Sequence, residues 1–253
     1  GIDYPGEATG LLQRPKNVGP VELANISFGQ GISVTPIQLL SALSAIANGG
    51  TLVRPHLVSK IVDPDGFIIK EFQKDPIRQV ISAETSKELS LILESVVVNG
   101  SGFRAKVPGY RVAGKTGTAE KPGAGGYSDK RVASFLGFAP VEDPKIAILV
   151  VWDEPDVGIS YGGVLAAPAF QSIVKDVLRY MEISPSMPPE TEERDPESRQ
   201  VIVPNLIGCN PDEAARLLVA EFGLDVSTKG TGVEVVHQIP AASAKVQRGT
   251  TVI

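Results

Sequence analysis

Lys115-Thr116-Gly117-Thr118 places a cation, two hydroxyls and a residue without a side chain in one short run. The residues before it, Tyr110-Arg111-Val112-Ala113-Gly114, are an apolar-polar run that reads as a strand. Period-two geometry then sends Lys115 and Gly117 to one face and Thr116 and Thr118 to the other. Gly117 allows a second backbone to come close. Left at the edge of a sheet, such a strand can pair with an extended peptide through its main chain. It can also hold the peptide's carboxylate by charge and hydroxyl contacts.

Lys115-Thr116-Gly117 is also one of three signatures of serine acyl-transferases of the penicillin-binding and β-lactamase group, and so resembles them. The other two are S-x-x-K, carrying the nucleophile, and S-x-N. No S-x-N occurs in the chain. Ser172-Ile173-Val174-Lys175 has the S-x-x-K form but follows the K-T-G triplet, where the group places it well before. It lies in an apolar-periodic helix, and Ser172 reads as an ordinary helix residue. Gly109 to Thr116 also satisfies the nucleotide-binding pattern G-x-x-x-x-G-K-[ST], which needs a strand before it and a helix starting at its Lys. Lys106-Val107-Pro108-Gly109 reads instead as a turn, and Gly117 with Lys121-Pro122-Gly123-Ala124-Gly125-Gly126 opposes a helix. The plainest alternative is a basic residue on a surface strand.

With 253 residues, 42% of them hydrophobic and 21% charged, the chain suits one large globular domain or two smaller ones. A net charge of −5 without a basic stripe argues against nucleic acid as a partner. No apolar run is long enough to span a bilayer, and no signal-peptide pattern is visible. The start, Gly1-Ile2-Asp3-Tyr4-Pro5, reads like the interior of a longer protein. Lone Cys209 excludes an internal disulfide and a cysteine-based metal cluster. His56 and His237, far apart in sequence, make a Ser-His-Asp triad or a His-rich metal site improbable. No cofactor is expected.

Residues 1–34 read mainly as loop. Thr35, Pro36 and Gln38 mark a capped helix start, with Ile37, Leu40, Leu43, Ser44 and Ala47 on one face and Gly49-Gly50 as its stop. Strands are expected at 52–55 and 57–62, then a hairpin return at 67–72. A second helix starts at Ser82, with Leu89, Ile92, Leu93, Val96 and Val97 inward. After the K-T-G strand and a Gly-rich loop come strands at 132–139 and 145–152. The second is apolar throughout its middle and is expected to be central and covered on both faces. A third helix over about 167–181 should bury Phe170, Ile173, Val174, Val177 and Met181. The Pro- and Glu-rich stretch 184–200 reads as a linker. A small unit follows. Asn210-Pro211-Asp212-Glu213 starts its helix, Gly223 ends it, and strands are expected at 224–228, 233–238 and 250–253.

The order of several short stretches resembles the transpeptidase domain of class B penicillin-binding proteins. They are Gly1-Ile2-Asp3-Tyr4-Pro5-Gly6-Glu7, Phe28-Gly29-Gln30-Gly31 with Thr35-Pro36-Ile37-Gln38-Leu39, and Ala47-Asn48-Gly49-Gly50 with Pro55-His56. Gly114 to Glu120, Ser134 to Pro140, and Tyr161-Gly162-Gly163 with Ala167-Pro168-Ala169-Phe170 continue it. Val203-Pro204-Asn205-Leu206, Gln238-Ile239-Pro240-Ala241 and Arg248-Gly249-Thr250 resemble a PASTA domain. The implied fold is α+β: part of a β-lactamase-like antiparallel sheet with helices over 1–181, a linker over 182–200, and a small β-α-β-β-β PASTA module over 201–253. The combination is similar to sporulation or division D,D-transpeptidases.

The resemblance implies a serine that attacks the penultimate D-Ala carbonyl of a peptidoglycan stem peptide and forms an acyl-enzyme. An amine from a neighbouring strand resolves it, and β-lactam antibiotics acylate the same serine. Lys115 would supply positive potential and tune proton transfer. Thr116 and Thr118 would bind the substrate or antibiotic carboxylate, beside Gly117, and the Thr118 N–H would be one of two oxyanion donors. The nucleophile, the S-x-N segment, the first two strands and a membrane anchor are expected in an N-terminal part of the same protein. That part would be a partner of this chain and would place it at the extracytoplasmic face of the bacterial membrane. The chain alone is expected to be inactive, with an open sheet edge able to form a homodimer. The rival reading is a non-enzymatic sensor that binds cell-wall peptide or β-lactam. Among other residues, Asp153-Glu154 and Asp129-Lys130-Arg131 read as solvated charges, His56 and Trp152 as structural, Tyr161-Gly162-Gly163 as cleft rim or tight turn, and Cys209 as without a role. Whether the PASTA-like module binds muropeptides or acts as a spacer stays open.

Overall fold

The computed structural model describes residues 2, 5–27, 29–73, 75–123, 126–156, 161–187 and 200–253. Residues 188–199 of the expected linker lie outside them, as do Gly1, Asp3, Tyr4, Phe28 and the side chain of Asp129. The organising element is an antiparallel sheet of β5 (Ala113–Gly123), β6 (Gly126–Ala139) and β7 (Ile146–Asp153), in that spatial order. The K-T-G residues lie in β5, at one edge. The stretch after Lys121, expected as a loop, instead extends β5 to Gly123, which pairs with Gly126.

Alternation along these strands separates two faces. Phe135, Ala139, Ile146, Ile148 and Val150 face helices α3 (Ala83–Val98) and α4 (Gly162–Tyr180), together with Val97, Phe170, Val174 and Leu178. Phe138, Leu136 and Ala147 face α2 (Pro36–Ala47), where Leu43 and Ala47 meet them. At the centre the Phe135 and Phe170 rings are 4.7 Å apart and tilted by 56°, which avoids the face-to-face stacking that the ring quadrupoles disfavour. No residue of β7 is fully buried, Val151–Asp153 are exposed, and its outer edge has no strand beside it among the described residues, so it is an edge strand here and not the central one.

The helix starts follow local chemistry. At α2 the Thr35 hydroxyl accepts from Gln38 N–H at 3.2 Å, and the Gln38 amide oxygen accepts from Thr35 N–H at 2.9 Å, closing the expected capping box. Ser82 caps α3. The buried stripe of α3 differs from the expectation: Ile92 is 59% exposed, while Ser86 and Ser90 are buried. Each serine hydroxyl donates to a backbone carbonyl, Ile46 for Ser86 and Ser86 for Ser90, so small polar residues serve where α2 and α3 come close. Helix α4 begins five residues before the expected Ala167, with Pro168 inside it. Its inward stripe is Phe170, Val174 and Leu178, leaving Ile173 and Met181 exposed.

Short strands flank this layer: β1 (Thr51–Val53) pairs with β4 (Pro76–Gln79), and β2 (Lys60–Val62) pairs with β3 (Ile68–Glu71) as the expected hairpin. Residues 200–253 have their own core of Val201, Val203, Leu206, Ala214, Leu218, Leu224 and Val252. Here β8 (Gln200–Ile202) pairs with β10 (Lys245–Gln247), and β9 (Asp225–Val226) runs parallel to β11 (Thr251–Val252). Helix α5 (Pro211–Leu217), capped by Asn210, continues as a short π-turn to Phe222 and ends at Gly223 with φ of 64°. The chain order is thus β-α-β-β-β. The expected strand at 233–238 is absent. The Gln238 side chain bonds Leu206 N–H at 2.7 Å and the Pro204 and Pro240 carbonyls, and the Val235 backbone bonds the Gly208-Cys209 turn, so no ladder forms among the described residues.

Phe135→Ala removes the ring on which α4 and the Asn99–Phe103 turn converge. It should cost about 3–5 kcal/mol, measured as a lower urea midpoint with unchanged slope.

Candidate active site

In β5, Lys115 lies opposite Leu136 and Thr116 opposite Phe135, so the expected alternation holds: Lys115 on the α2 side, Thr116 and Thr118 on the α4 side. Lys115 is exposed and Thr116 is buried. The Lys115 ammonium curls along the strand and donates to the Thr116 carbonyl at 3.0 Å and the Thr116 hydroxyl at 3.3 Å. It has no carboxylate partner within 4 Å among the described residues. The positive charge is therefore available to a ligand at the edge.

Helix α4 approaches this strand end-on. A Cβ on Gly162 would collide with the carbonyl oxygens of Ser134 and Gly117, so only glycine permits the approach. Gly117 itself does not serve this approach: the expected second backbone is not what its open face meets, since a Cβ there would lie 2.5 Å from the Ser134 hydroxyl on the opposite side of the strand. Gly162 N–H donates to the Thr118 hydroxyl at 3.2 Å, which leaves the Thr118 proton free to donate outward. The positive end of the helix thus lies at the hydroxyls expected to meet a carboxylate. Tyr161-Gly162-Gly163 is accordingly the cap and first turn of α4, placed against the site.

One residue at the site was not singled out from the sequence. Ser101 lies in the turn after α3, and its hydroxyl is 2.9 Å from the Thr116 hydroxyl. A serine between Gly100 and Gly102 after a helix stop was the only available signal. Arg111, just before β5, forks onto Glu94 of α3 at 2.7 and 2.6 Å. This bidentate bond raises the Arg111 pKa and ties the strand's entry to the helix carrying the turn.

The rim is charged and paired. Lys121 reaches Asp153 at 2.6 Å and Glu154 at 2.7 Å, and Lys130 reaches Glu154 at 2.7 Å. The two carboxylates are therefore held by lysines from the β5–β6 hairpin. Arg131 lies over the Tyr161 ring at 5.5 Å. Ser172 is exposed on α4, and His56 packs against Phe72 with 5.6 Å between ring centroids. The Gly109–Thr116 pattern does not form a phosphate loop: Lys115 and Thr116 lie inside a strand that continues to Gly123.

A model of the penicillin binding protein transpeptidase domain matches residues 1–175, and a PASTA domain model matches 201–253. The chain belongs to the penicillin-binding protein transpeptidase family. Stage V sporulation protein D of Bacillus subtilis is 43% identical over all of this chain and 39% of its own length. The peptidoglycan D,D-transpeptidase FtsI of Escherichia coli is 38% identical over 71% of this chain and 29% of its own. The transpeptidase domain of Burkholderia pseudomallei penicillin-binding protein 3 aligns with a TM-score of 0.65 and 39% identity, covering 74% of this chain and 55% of that one. The Mycobacterium tuberculosis penicillin-binding protein 3 complexed with ampicillin aligns with a TM-score of 0.66 and 35% identity, covering 74% and 44%. The chain spans about two fifths of the sporulation relative and under a third of FtsI. Within this family the α+β fold and the PASTA unit are as the sequence implied.

Two lysine ammonium groups pull the Glu154 pKa from the ordinary 4.5 down to about 2. Its folded value is below its unfolded one, so its stabilising effect is present above the ordinary range and is lost as pH falls through about 2. In the double variant Lys121→Met/Lys130→Met, an NMR titration should find the Glu154 carboxyl back near 4.5.

Proposed function

We propose that this chain forms the K-T-G wall of the active site of a serine-type peptidoglycan D,D-transpeptidase. The carrying observation is the exposed Lys115 on an edge strand, beside two threonine hydroxyls, one of them seated on the first amide of α4. These groups suit an extended peptide ending in a carboxylate. The peptide pairs along β5, the Lys115 charge attracts its terminus, and the Thr116 and Thr118 hydroxyls donate to it.

The nucleophilic serine and the S-x-N segment belong, in this reading, to a further part of the same protein that also completes the sheet beyond β7. The serine attacks the penultimate D-Ala carbonyl, forming an ester as the C–N bond to the terminal D-Ala breaks. An amine of a second stem peptide then attacks the ester, forming the cross-link and releasing the serine. The Thr118 N–H stabilises the oxyanion formed at each attack. A β-lactam acylates the same serine, its carboxylate occupying the threonine hydroxyls.

The substrate places the protein at the outer face of a bacterial membrane; no described helix is long and apolar enough to cross one. The unpaired β7 edge would take strands of the same protein, with a second copy as the competing occupant. We divide the chain into a transpeptidase part to residue 181, a linker over 182–200 and a PASTA module over 201–253.

The full-length protein should be labelled covalently by fluorescent penicillin, and this chain alone should not. Thr118→Pro in the full-length protein, which deletes both the N–H and the hydroxyl, should slow labelling roughly a hundredfold or more, whereas Thr118→Ala, which keeps the N–H, should slow it less. Covalent labelling of the isolated chain, or none of the full-length protein, would overturn the reading. Lys115→Ala should weaken penicillin binding by about tenfold, seen as a higher half-saturating concentration.

A further inference from the structure

The C-terminal module meets the transpeptidase part at the turn Asn99–Phe103 with Arg104, where its side-chain contacts gather, and its π-turn also comes close to α4. Arg248 stacks over the Phe103 ring, its guanidinium carbon 4.1 Å from the ring centroid. It also donates to the Asn99 carbonyl at 3.2 Å and, within its own module, to the Phe222 carbonyl at 3.3 Å. Arg104 lies 4.6 Å from the same ring centroid and donates to the Val219 carbonyl at 3.4 Å. The module's backbone closes on the ring at Gly223, where a Cβ would lie 2.8 Å from Phe103 Cζ; with φ of 64° that position also favours glycine. Neither guanidinium has an acidic partner within 4 Å among the described residues. Their charges rest on carbonyls at two helix ends, those of α3 and of the π-turn after α5, and on an aromatic face.

The same turn carries Ser101 against Thr116. We propose that the docked module positions the substrate-binding hydroxyl of Thr116, with Arg248 as the positioning residue acting through the Asn99–Phe103 turn. Arg248 grips this turn on both sides of Ser101, at the Asn99 carbonyl and the Phe103 ring. On its inner side the turn is backed by the sheet: a Cβ on Gly102 would sit 3.2 Å from Phe135 Cε2. Lys115 already donates to the Thr116 oxygen. When Ser101 donates to it as well, both lone pairs are used and the Thr116 proton is the free group, directed at a ligand carboxylate. When the turn shifts, Ser101 is lost as a donor and Thr116 can turn its proton elsewhere. This role rests on the transpeptidase reading, whereas the mechanical link between module and turn does not.

Two measurements separate the two. Hydrogen exchange on this chain compares wild type with Arg248→Ala and Arg248→Lys. Arg248→Ala should raise exchange about tenfold over 99–103 and measurably over 114–118, with 133–150 unchanged. Lys cannot stack and donate to both carbonyls at once and should rescue only in part. In the full-length protein, Arg248→Ala should raise the half-saturating penicillin concentration about fivefold while acylation at saturation holds within about twofold. A merely structural defect would lower the labelled fraction instead. Unchanged exchange over 99–118 in Arg248→Ala overturns the link. Changed exchange with unchanged penicillin saturation overturns the role for Thr116. Failure of the wild-type full-length protein to label refutes the transpeptidase reading and leaves the exchange result to judge the link.

Discussion

The close approach of α4 to β5 governs the site. A helix start can meet a strand backbone to backbone only where it carries no side chain, and Gly162 against the Ser134 and Gly117 carbonyls meets that condition. From this contact follow the bond between the first helical amide and Thr118, and the placement of the helix's positive end at the strand edge. Further along α4 the buried Phe170 ring packs on Phe135, joining helix and sheet in the core. A Cβ at Gly162 would move the helix, the hydroxyls and the core together.

Much of this was legible because the decisive signals were local. The capping chemistry of Thr35-Pro36-Gln38 and Asn210-Pro211 located helix starts, since those side chains satisfy amides within three residues. The alternation around Lys115 placed the cation and the threonines on opposite faces, because a strand's period is fixed by its geometry. What was lost depended on distant partners. Ile92 and Ile173 belong to apolar-periodic runs, yet close helix contact selected the serines of α3, and the sheet selected other residues of α4. Val233–Gln238 is rich in valine like a strand, but the Gln238 amide serves three loop groups and the backbone bonds of Val235 go to the Gly208-Cys209 turn, so no ladder builds. The beginning of α4 was hidden by two glycines and a proline, residues that usually mark loops. Ser101 gave only the faint signal of a serine between two glycines after a helix stop, because its meaning lies in Thr116, fifteen positions away.

Electrostatics divides the site into a free charge and held ones. Lys115 keeps its ammonium on its own strand's oxygens, whereas Lys121, Lys130 and Arg111 are all committed to carboxylates. At the rim the committed pairs join the end of β7 to the β5–β6 hairpin and so hold its register; at the strand's entry Arg111 joins it to α3. The uncommitted cation is thus presented between two anchored stretches, which suits attraction of an anion without collapse onto a neighbouring acid.

The chain leaving α4 does not simply run off the end of the helix. Tyr110 donates to the Ile183 carbonyl at 2.6 Å, and Met187 N–H donates to the Gly109 carbonyl at 3.0 Å, so the exit path is stitched to the turn just ahead of β5. A tensile load arriving from the C-terminal side would therefore be delivered to the root of β5 before it reached the helix.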